Sequence, residues 1–135
     1  MGDEVRSRAV PAVGEVGALP AGLEFAISSR RLANGTFVVA ASGELDLYTA
    51  PELERALASS VTEGAKQLVV DLSGTTFVDS TALHVLLRAA RQVDGKEGDL
   101  TVVAPDPNVR KVFEITGFNR LFSVVCSLPI ASAVP

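Results

Sequence analysis

The sequence predicts one α/β domain that is built on a mixed β-sheet with a parallel portion. Near the start, two apolar segments with strand-like alternation flank a turn, which is the pattern of a β-hairpin. After them, segments of helical periodicity alternate with short apolar runs, which indicates parallel strands joined by right-handed crossovers. The length of 135 residues and the hydrophobic content of 47% fit one domain with a sizeable core.

The hairpin is predicted to follow a disordered tail. Residues 1–20 mix charges, Pro, Gly and Ala without periodicity, and residues 21–135 form the predicted domain. Ala33-Asn34-Gly35 supplies the turn of the hairpin. The alternating apolar residues are Leu23, Phe25 and Ile27 before the turn and Phe37, Val39 and Ala41 after it.

The first helix is predicted to begin at Thr49. Thr49 as the N-cap and Glu52 three residues later form a capping box. Pro51 falls in the first turn, where its missing N–H is not needed. Gly64 is placed to end the helix.

Two further helices and three further strands are predicted after it. The apolar run 68–72 predicts a strand buried on both faces, and a turn is predicted at Ser73-Gly74. The second helix is predicted to begin at Asp79-Ser80 and to turn an apolar stripe toward the core. The remaining predicted segments are a strand over 100–104, a helix between Asp106 and Gly117, a strand over 121–125 and a weak terminal helix over 127–134.

Composition argues against several classes of protein. The net charge of −4 and the dispersed basic residues disfavour binding to nucleic acid or to a membrane surface. No apolar stretch approaches the roughly 18 residues of a membrane span. The single cysteine, Cys126, permits no internal disulfide, fits a reducing compartment and is expected to be a buried, inert hydrophobe. We therefore expect a cytoplasmic protein.

The sequence gives little support to an enzyme. One histidine and one cysteine exclude the usual zinc spacings, and no glycine-rich phosphate loop occurs. His84 stands four residues after Ser80, so the two can be neighbours on a helix, but no orienting acid completes a triad. Asp71 at a strand end resembles a phospho-acceptor aspartate, yet the acidic pair of such a site is missing. Ser80 remains open as a plain helix-start serine or as a hydroxyl exposed for modification.

Three short segments stand in a specific order and spacing. Residues 43–51 read Gly-Glu-Leu-Asp-Leu-Tyr-Thr-Ala-Pro, residues 78–83 read Val-Asp-Ser-Thr-Ala-Leu, and residues 113–118 read Phe-Glu-Ile-Thr-Gly-Phe. Together they resemble the signature segments of the anti-anti-sigma-factor family of STAS domains, and the resemblance runs from about Leu23 to Cys126. It implies a mixed sheet of four to five strands with helices packed mainly on one face. It also implies no catalytic activity, no cofactor and no metal.

The resemblance further implies a partner-switching role. In this family the unphosphorylated domain binds an anti-sigma factor that is itself a serine kinase, which frees a sigma factor for transcription. The kinase uses ATP to phosphorylate the serine after the motif aspartate, here Ser80, and a phosphatase resets the switch. Asp46, Asp79 and Thr81 are expected to contact the partner around that serine, as is His84 on the same helix.

Two residues depart from the family pattern, because Ala82 and His84 stand where glycines are usual. A phosphate on Ser80 is expected to meet the free amides of the helix start, and it would favour the charged imidazolium of His84. Two alternatives stay open. One is a STAS domain that binds a nucleotide or another small ligand, or serves as a signalling scaffold, and the other is a hydrolase with an activated Ser80.

Overall fold

The computed structural model describes residues 25–127, so the predicted tail, Leu23 and the predicted terminal helix beyond Ser127 lie outside the described residues. A five-stranded mixed sheet has the order β1-β2-β3-β4-β5, with β1 antiparallel to β2 and the other neighbours parallel, which confirms the predicted fold class. The strands are β1 (Ala26–Arg31), β2 (Phe37–Leu45), β3 (Gln67–Val78), β4 (Asp99–Val103) and β5 (Ser123–Val125). The helices are α1 (Ala50–Thr62), α2 (Ser80–Asp94) and α3 (Pro107–Thr116), followed by a 3₁₀ turn at Phe118–Arg120.

The predicted β-hairpin is confirmed. Its turn is closed by a hydrogen bond from the Leu32 amide to the Thr36 carbonyl (2.7 Å) and one from the Gly35 amide to the Leu32 carbonyl (2.9 Å). The Asn34 side chain accepts a further bond from the Thr36 amide. Gly35 takes a left-handed φ of +90°, which glycine adopts without steric cost. The turn thereby sets the register of β1 on β2.

The turn predicted at Ser73-Gly74 is wrong, because both residues lie inside β3. The strand continues past them through an irregularity in its pairing with β2 near Ser42. A Cβ on Gly74 would stand 2.8 Å from the Cβ of Ser42, so glycine is what allows the two strands to approach this closely. The buried Thr75 hydroxyl donates to the Ala41 carbonyl at 2.9 Å and holds the shifted pairing.

The main hydrophobic core lies between one face of the sheet and the three α-helices. Leu53 and Leu57 of α1, and Leu83 and Leu86 of α2, are 2% exposed or less. Phe113 of α3 is fully buried in the same cluster. Burial of each such side chain contributes about 1.5–3 kcal/mol. The helices therefore pack on one face, as expected, and their apolar stripes identify the residues that face the core.

A second, smaller cluster lies on the opposite face of the sheet. Val38, Val69 and Val103 are buried there, with Leu32 and Val125 packed against them. Among the described residues this cluster contains no helical side chain. Because residues of β3 enter both clusters, the strand is buried on both faces, as its continuous apolar run predicts.

The C-terminal part of the described chain differs from the prediction in two ways. The last strand begins at Ser123, because the 3₁₀ turn is closed by a bond from the Leu121 amide to the Phe118 carbonyl at 2.9 Å. Cys126 is exposed, so its predicted burial is wrong. It follows the last residue of β5 and lies beyond the sheet that would cover it. Within residues 25–127, no helix is long and apolar enough to cross a membrane.

Gly98→Ala is expected to destabilise the domain, whereas Gly95→Ala is not. A Cβ on Gly98 would stand 2.1 Å from the Lys66 carbonyl oxygen, a backbone atom that is held by the Asp99 amide. A Cβ on Gly95 would meet its nearest atom at an ordinary 3.6 Å. We expect chemical denaturation to show a loss of about 1–3 kcal/mol for Gly98→Ala and a change below about 0.5 kcal/mol for Gly95→Ala. Equal stability of the two variants would contradict this account of the α2–β4 connection.

Candidate functional site

The carboxyl ends of β2 and β3 lie side by side, because the two strands are parallel. Leu45 at the end of β2 pairs with Val78 at the end of β3. The Asp79 amide then donates to the Leu45 carbonyl at 3.1 Å. The loop after β2 and the start of α2 therefore share one edge of the sheet. We call residues 46–49 and 79–84 together the Ser80 surface.

Asp46 organises the loop after β2. Its carboxylate accepts hydrogen bonds from the amides of Tyr48 (2.9 Å) and Thr49 (3.1 Å). The Thr49 hydroxyl donates to the Glu44 carbonyl at 2.7 Å and accepts from the Asp46 amide at 2.9 Å. The backbone of the loop is thus fixed at both ends. Asp46 has this local structural role in addition to the partner contact that the sequence predicts for it.

The N-cap position predicted for Thr49 in its capping box with Glu52 is confirmed, but the predicted hydrogen bond from the Thr49 side chain into the helix is wrong. Thr49 is the N-cap of α1, yet its side chain makes no hydrogen bond into the helix. Its hydroxyl is engaged by residues that precede the helix. The Ala50 amide already donates to the Asp46 carbonyl at 2.8 Å, so the chain makes one helical turn before α1. The Asp46 carboxylate caps that turn.

Two large apolar side chains project from this fixed loop into solvent. Leu47 is 59% exposed and Tyr48 is 84% exposed. Adjacent exposed apolar groups of this size are typical of protein-binding surfaces, where tyrosine is enriched. The partner contacts predicted from the sequence include the neighbouring Asp46 but not Leu47 or Tyr48. The sequence feature that could have indicated this pair is the presence of two bulky side chains, Leu47 and Tyr48, in a predicted loop.

Asp79 is the N-cap of α2 and Ser80 is its first residue, as the sequence predicts. The Asp79 carboxylate accepts from the amides of Thr81 (2.9 Å) and Ala82 (3.1 Å). Ser80 is exposed and Thr81 is half-buried. Because Asp79 supplies the cap, the Ser80 side chain is not needed to stabilise the helix end. A phosphate on Ser80 was expected to meet free backbone amides at the helix start. This expectation is wrong for the amides of Thr81 and Ala82, because both already donate to Asp79.

His84 is exposed and lies against the backbone of Ser80, as the four-residue spacing predicts. Its Nδ1 is 2.8 Å from the Ser80 carbonyl oxygen. Its ring meets the Phe118 ring edge-on, with the centroids 5.6 Å apart and the planes at 83°. The imidazole is thus turned to the backbone carbonyl, and it does not stand as a base that activates the Ser80 hydroxyl.

The Ser80 surface combines acidic, hydroxyl and apolar groups. Asp46 and Asp79 make it acidic, and the ion pair between Arg88 and Glu54 joins α2 to α1. Within the described range 25–127, no cluster of His, Cys, Asp or Glu side chains is arranged to hold a metal ion. An exposed hydroxyl beside exposed apolar groups suits a protein partner.

Comparison with known proteins gives consistent matches. A family model described as the STAS domain matches residues 29–134. BtrV of Bordetella bronchiseptica, whose name describes it as an anti-sigma factor antagonist, is 34% identical over 100 residues, which cover 74% of this chain and 86% of BtrV. The anti-sigma-B factor antagonist of Staphylococcus aureus is 31% identical over 88 residues, which cover 65% of this chain and 82% of that protein. The crystal structure of an anti-sigma factor antagonist from Mycobacterium paratuberculosis superposes with a TM-score of 0.76 at 33% identity, covering 85% of this chain and 97% of that one.

Asp79→Ala is expected to lower the free energy of unfolding by about 1 kcal/mol, because the amides of Thr81 and Ala82 lose their acceptor. Asp79→Asn keeps a side-chain oxygen in the same place and is expected to lose less than about half of that. Denaturant titration followed by circular dichroism measures both variants. If the alanine variant is as stable as the asparagine variant, the cap does not contribute as described.

Proposed function

Because the chain belongs to the STAS-domain family, we propose that it is an anti-sigma factor antagonist that phosphorylation of Ser80 switches off. In this proposal the unphosphorylated form binds an anti-sigma factor of the serine-kinase type, which releases the sigma factor. A phosphatase restores the active form, and the cycle takes place in the cytoplasm. The names of the relatives from Bordetella bronchiseptica and Staphylococcus aureus support the antagonist role.

The observation that carries the proposal is the exposure of Ser80 on a surface whose backbone is otherwise fixed. Ser80 is the first residue of α2, and the cap of that helix is the neighbouring Asp79. A kinase can therefore reach the hydroxyl without disturbing the helix. Phosphoryl transfer from ATP forms a bond between Ser80 Oγ and the γ-phosphorus and breaks the bond from that phosphorus to the leaving ADP oxygen. The hydroxyl proton passes to a base of the kinase, so this chain is the substrate and supplies no catalytic group.

Phosphorylation is proposed to act through charge at the interface. A phosphate adds about −1.5 to −2 charge at neutral pH, next to the carboxylates of Asp46 and Asp79. A partner that covers the Ser80 surface would have to remove water from all of these groups. The modified protein therefore loses the complex while its fold is unchanged.

The proposed contacts fall into two groups. Leu47 and Tyr48 supply apolar area at the centre of the interface, where such anchors contribute most of the binding energy. Polar groups surround them and select the unmodified form. The polar residues that we assign to the partner contact are Asp46, Asp79, Ser80, Thr81 and His84.

Incubation with ATP and the cognate kinase is expected to add one phosphate, at Ser80. The kinase is obtained by capture from native lysate with the Ser80→Ala variant, which cannot be switched off. Intact-mass measurement should show no phosphate on Ser80→Ala and one phosphate on Thr81→Ala, the matched control at the half-buried neighbouring hydroxyl. Because Thr81 is also assigned to the partner contact, its variant is expected to be modified more slowly but at the same residue. A phosphate mapped to Thr81 in the unaltered protein would refute the assignment. If no kinase-type protein is captured and a nucleotide raises the melting temperature, a small-ligand role replaces this proposal.

Tyr48→Ala is expected to weaken binding of the captured anti-sigma factor at least tenfold, or about 1.4 kcal/mol. The substitution removes the aromatic side chain that is proposed to bury apolar area against the partner. Ile115→Ala is the matched control, since Ile115 is 76% exposed on α3 and lies outside the Ser80 surface. Its affinity is expected to change less than about twofold. Titration calorimetry measures both, and equal losses would show that Tyr48 is not a specific contact.

A further inference from the structure

The start of α2 has few donors left for a phosphate. The amides of Thr81 and Ala82 donate to the Asp79 carboxylate. The Leu83 amide donates to the Asp79 carbonyl at 3.1 Å. A phosphate on Ser80 would therefore stand beside a carboxylate that competes for the same amides. A hydrogen-bond donor from another part of the Ser80 surface would stabilise this phosphate.

His84 is a side-chain donor that lies against the Ser80 backbone. We assign the proton to Nδ1, because the Ser80 carbonyl oxygen at 2.8 Å can only accept a hydrogen bond. In the α-helical pattern that carbonyl also accepts the backbone amide of His84. If the imidazole turned away, the carbonyl would still have a partner. The Nδ1–H group can therefore be withdrawn without leaving an unpaired backbone acceptor.

The same imidazole ring also contacts the 3₁₀ turn. It packs edge-on against Phe118, with 5.6 Å between the centroids. Phe118 in turn packs edge-on against Phe122, which is buried in the main core, with 6.4 Å between their centroids. Contacts of this kind depend on ring orientation. A rotation of the His84 ring would therefore change the surroundings of Phe118.

We propose that His84 relays phosphorylation of Ser80 to the 3₁₀ turn. On the phosphorylated protein, the Nδ1–H of His84 moves from the Ser80 carbonyl to a phosphate oxygen and forms a charge-assisted hydrogen bond. The ring then loses its edge-on contact with Phe118. The surface that phosphorylation alters thus extends to Phe118 and to Leu121, which is 53% exposed at the end of the 3₁₀ turn. The inference rests on the proposed function only in that Ser80 carries the phosphate.

Two arginines are considered as competitors of His84 for the phosphate. On α2, the Asp79 carboxylate is bound to two amides, and Arg88 is paired with Glu54 of α1. Within residues 25–127, His84 itself forms no ion pair. Phe118 of the 3₁₀ turn packs against His84, and Arg120 is the charged residue of that turn. It is the arginine that we test as an alternative partner of the phosphate.

The relay is tested on the full chain with phosphoserine incorporated at position 80 during translation, so that no kinase is needed. His84 is the only histidine in the sequence, and its ¹⁵N signals report which ring nitrogen carries the proton. In the unmodified protein we expect the neutral ring to be the Nδ1–H tautomer. With phosphoserine at position 80, we expect the Nδ1 signal and the ring protons of Phe118 to shift. In His84→Ala, the shift of Phe118 is expected to fall to about a third or less, because the coupling passes through the missing ring.

Phosphoserine at Ser59, an exposed position on α1, is the control for added charge alone and is expected to leave both rings unchanged. A Phe118 response of equal size with and without His84 would overturn the relay, and so would an unchanged His84 signal. If the response survives in His84→Ala but is lost in Arg120→Gln, the arginine is the coupling group and the proposal is wrong. Because the phosphate is installed without a kinase, these outcomes are independent of the kinase assay that tests the proposed function.

Discussion

The parallel pairing of β2 with β3 is the constraint on which the candidate site depends. Since the two strands run in the same direction, Leu45 and Val78 end them at the same edge of the sheet. The hydrogen bond from the Asp79 amide to the Leu45 carbonyl then fixes the β2 loop against the start of α2. An antiparallel pair would have placed these two segments at opposite ends of the sheet. A backbone hydrogen bond therefore joins the two segments of the Ser80 surface, and the exposed side chains of Leu47, Tyr48 and Ser80 take no part in that bond.

The irregular pairing of β2 and β3 determines which side chains near this edge of the sheet face the main core. Two register shifts interrupt the ladder between the start of the strands and their ends. A single extra residue turns the following side chains to the other face of a sheet, and a second one restores them. This explains why Leu72 and Val78 both lie in the main core, whereas Thr75, between the shifts, is buried with its hydroxyl on a backbone carbonyl. Gly74 permits the close approach that the first shift requires.

Local signals in the sequence were sufficient to predict the three helices, the hairpin and the residue at which α2 begins. Asp79-Ser80 could be placed at a helix start because capping chemistry depends on neighbouring residues alone. Ser73-Gly74 could not be placed, since the same dipeptide suits a turn and a strand irregularity, and only the partner strand distinguishes them. The bonding of Thr49 likewise depends on acceptors that the folded loop brings within reach. The exposure of Leu47 and Tyr48 depends on where that loop leaves the sheet, which no periodicity encodes. The role proposed for Ser80 rests on the family resemblance.

The division of tasks between Asp79 and Ser80 has a consequence for the lifetime of the protein. Since the side chain that caps α2 is the Asp79 carboxylate, modification of the Ser80 hydroxyl removes none of the hydrogen bonds of that cap. Degradation in cells follows that free energy, and a shift of about 1–2 kcal/mol changes abundance several-fold. A signalling residue that also capped its helix would couple the state of the switch to the rate of turnover. Under the proposed function the two are separate in this chain, so cycles of modification at Ser80 would change the activity of the protein and leave its rate of turnover unchanged.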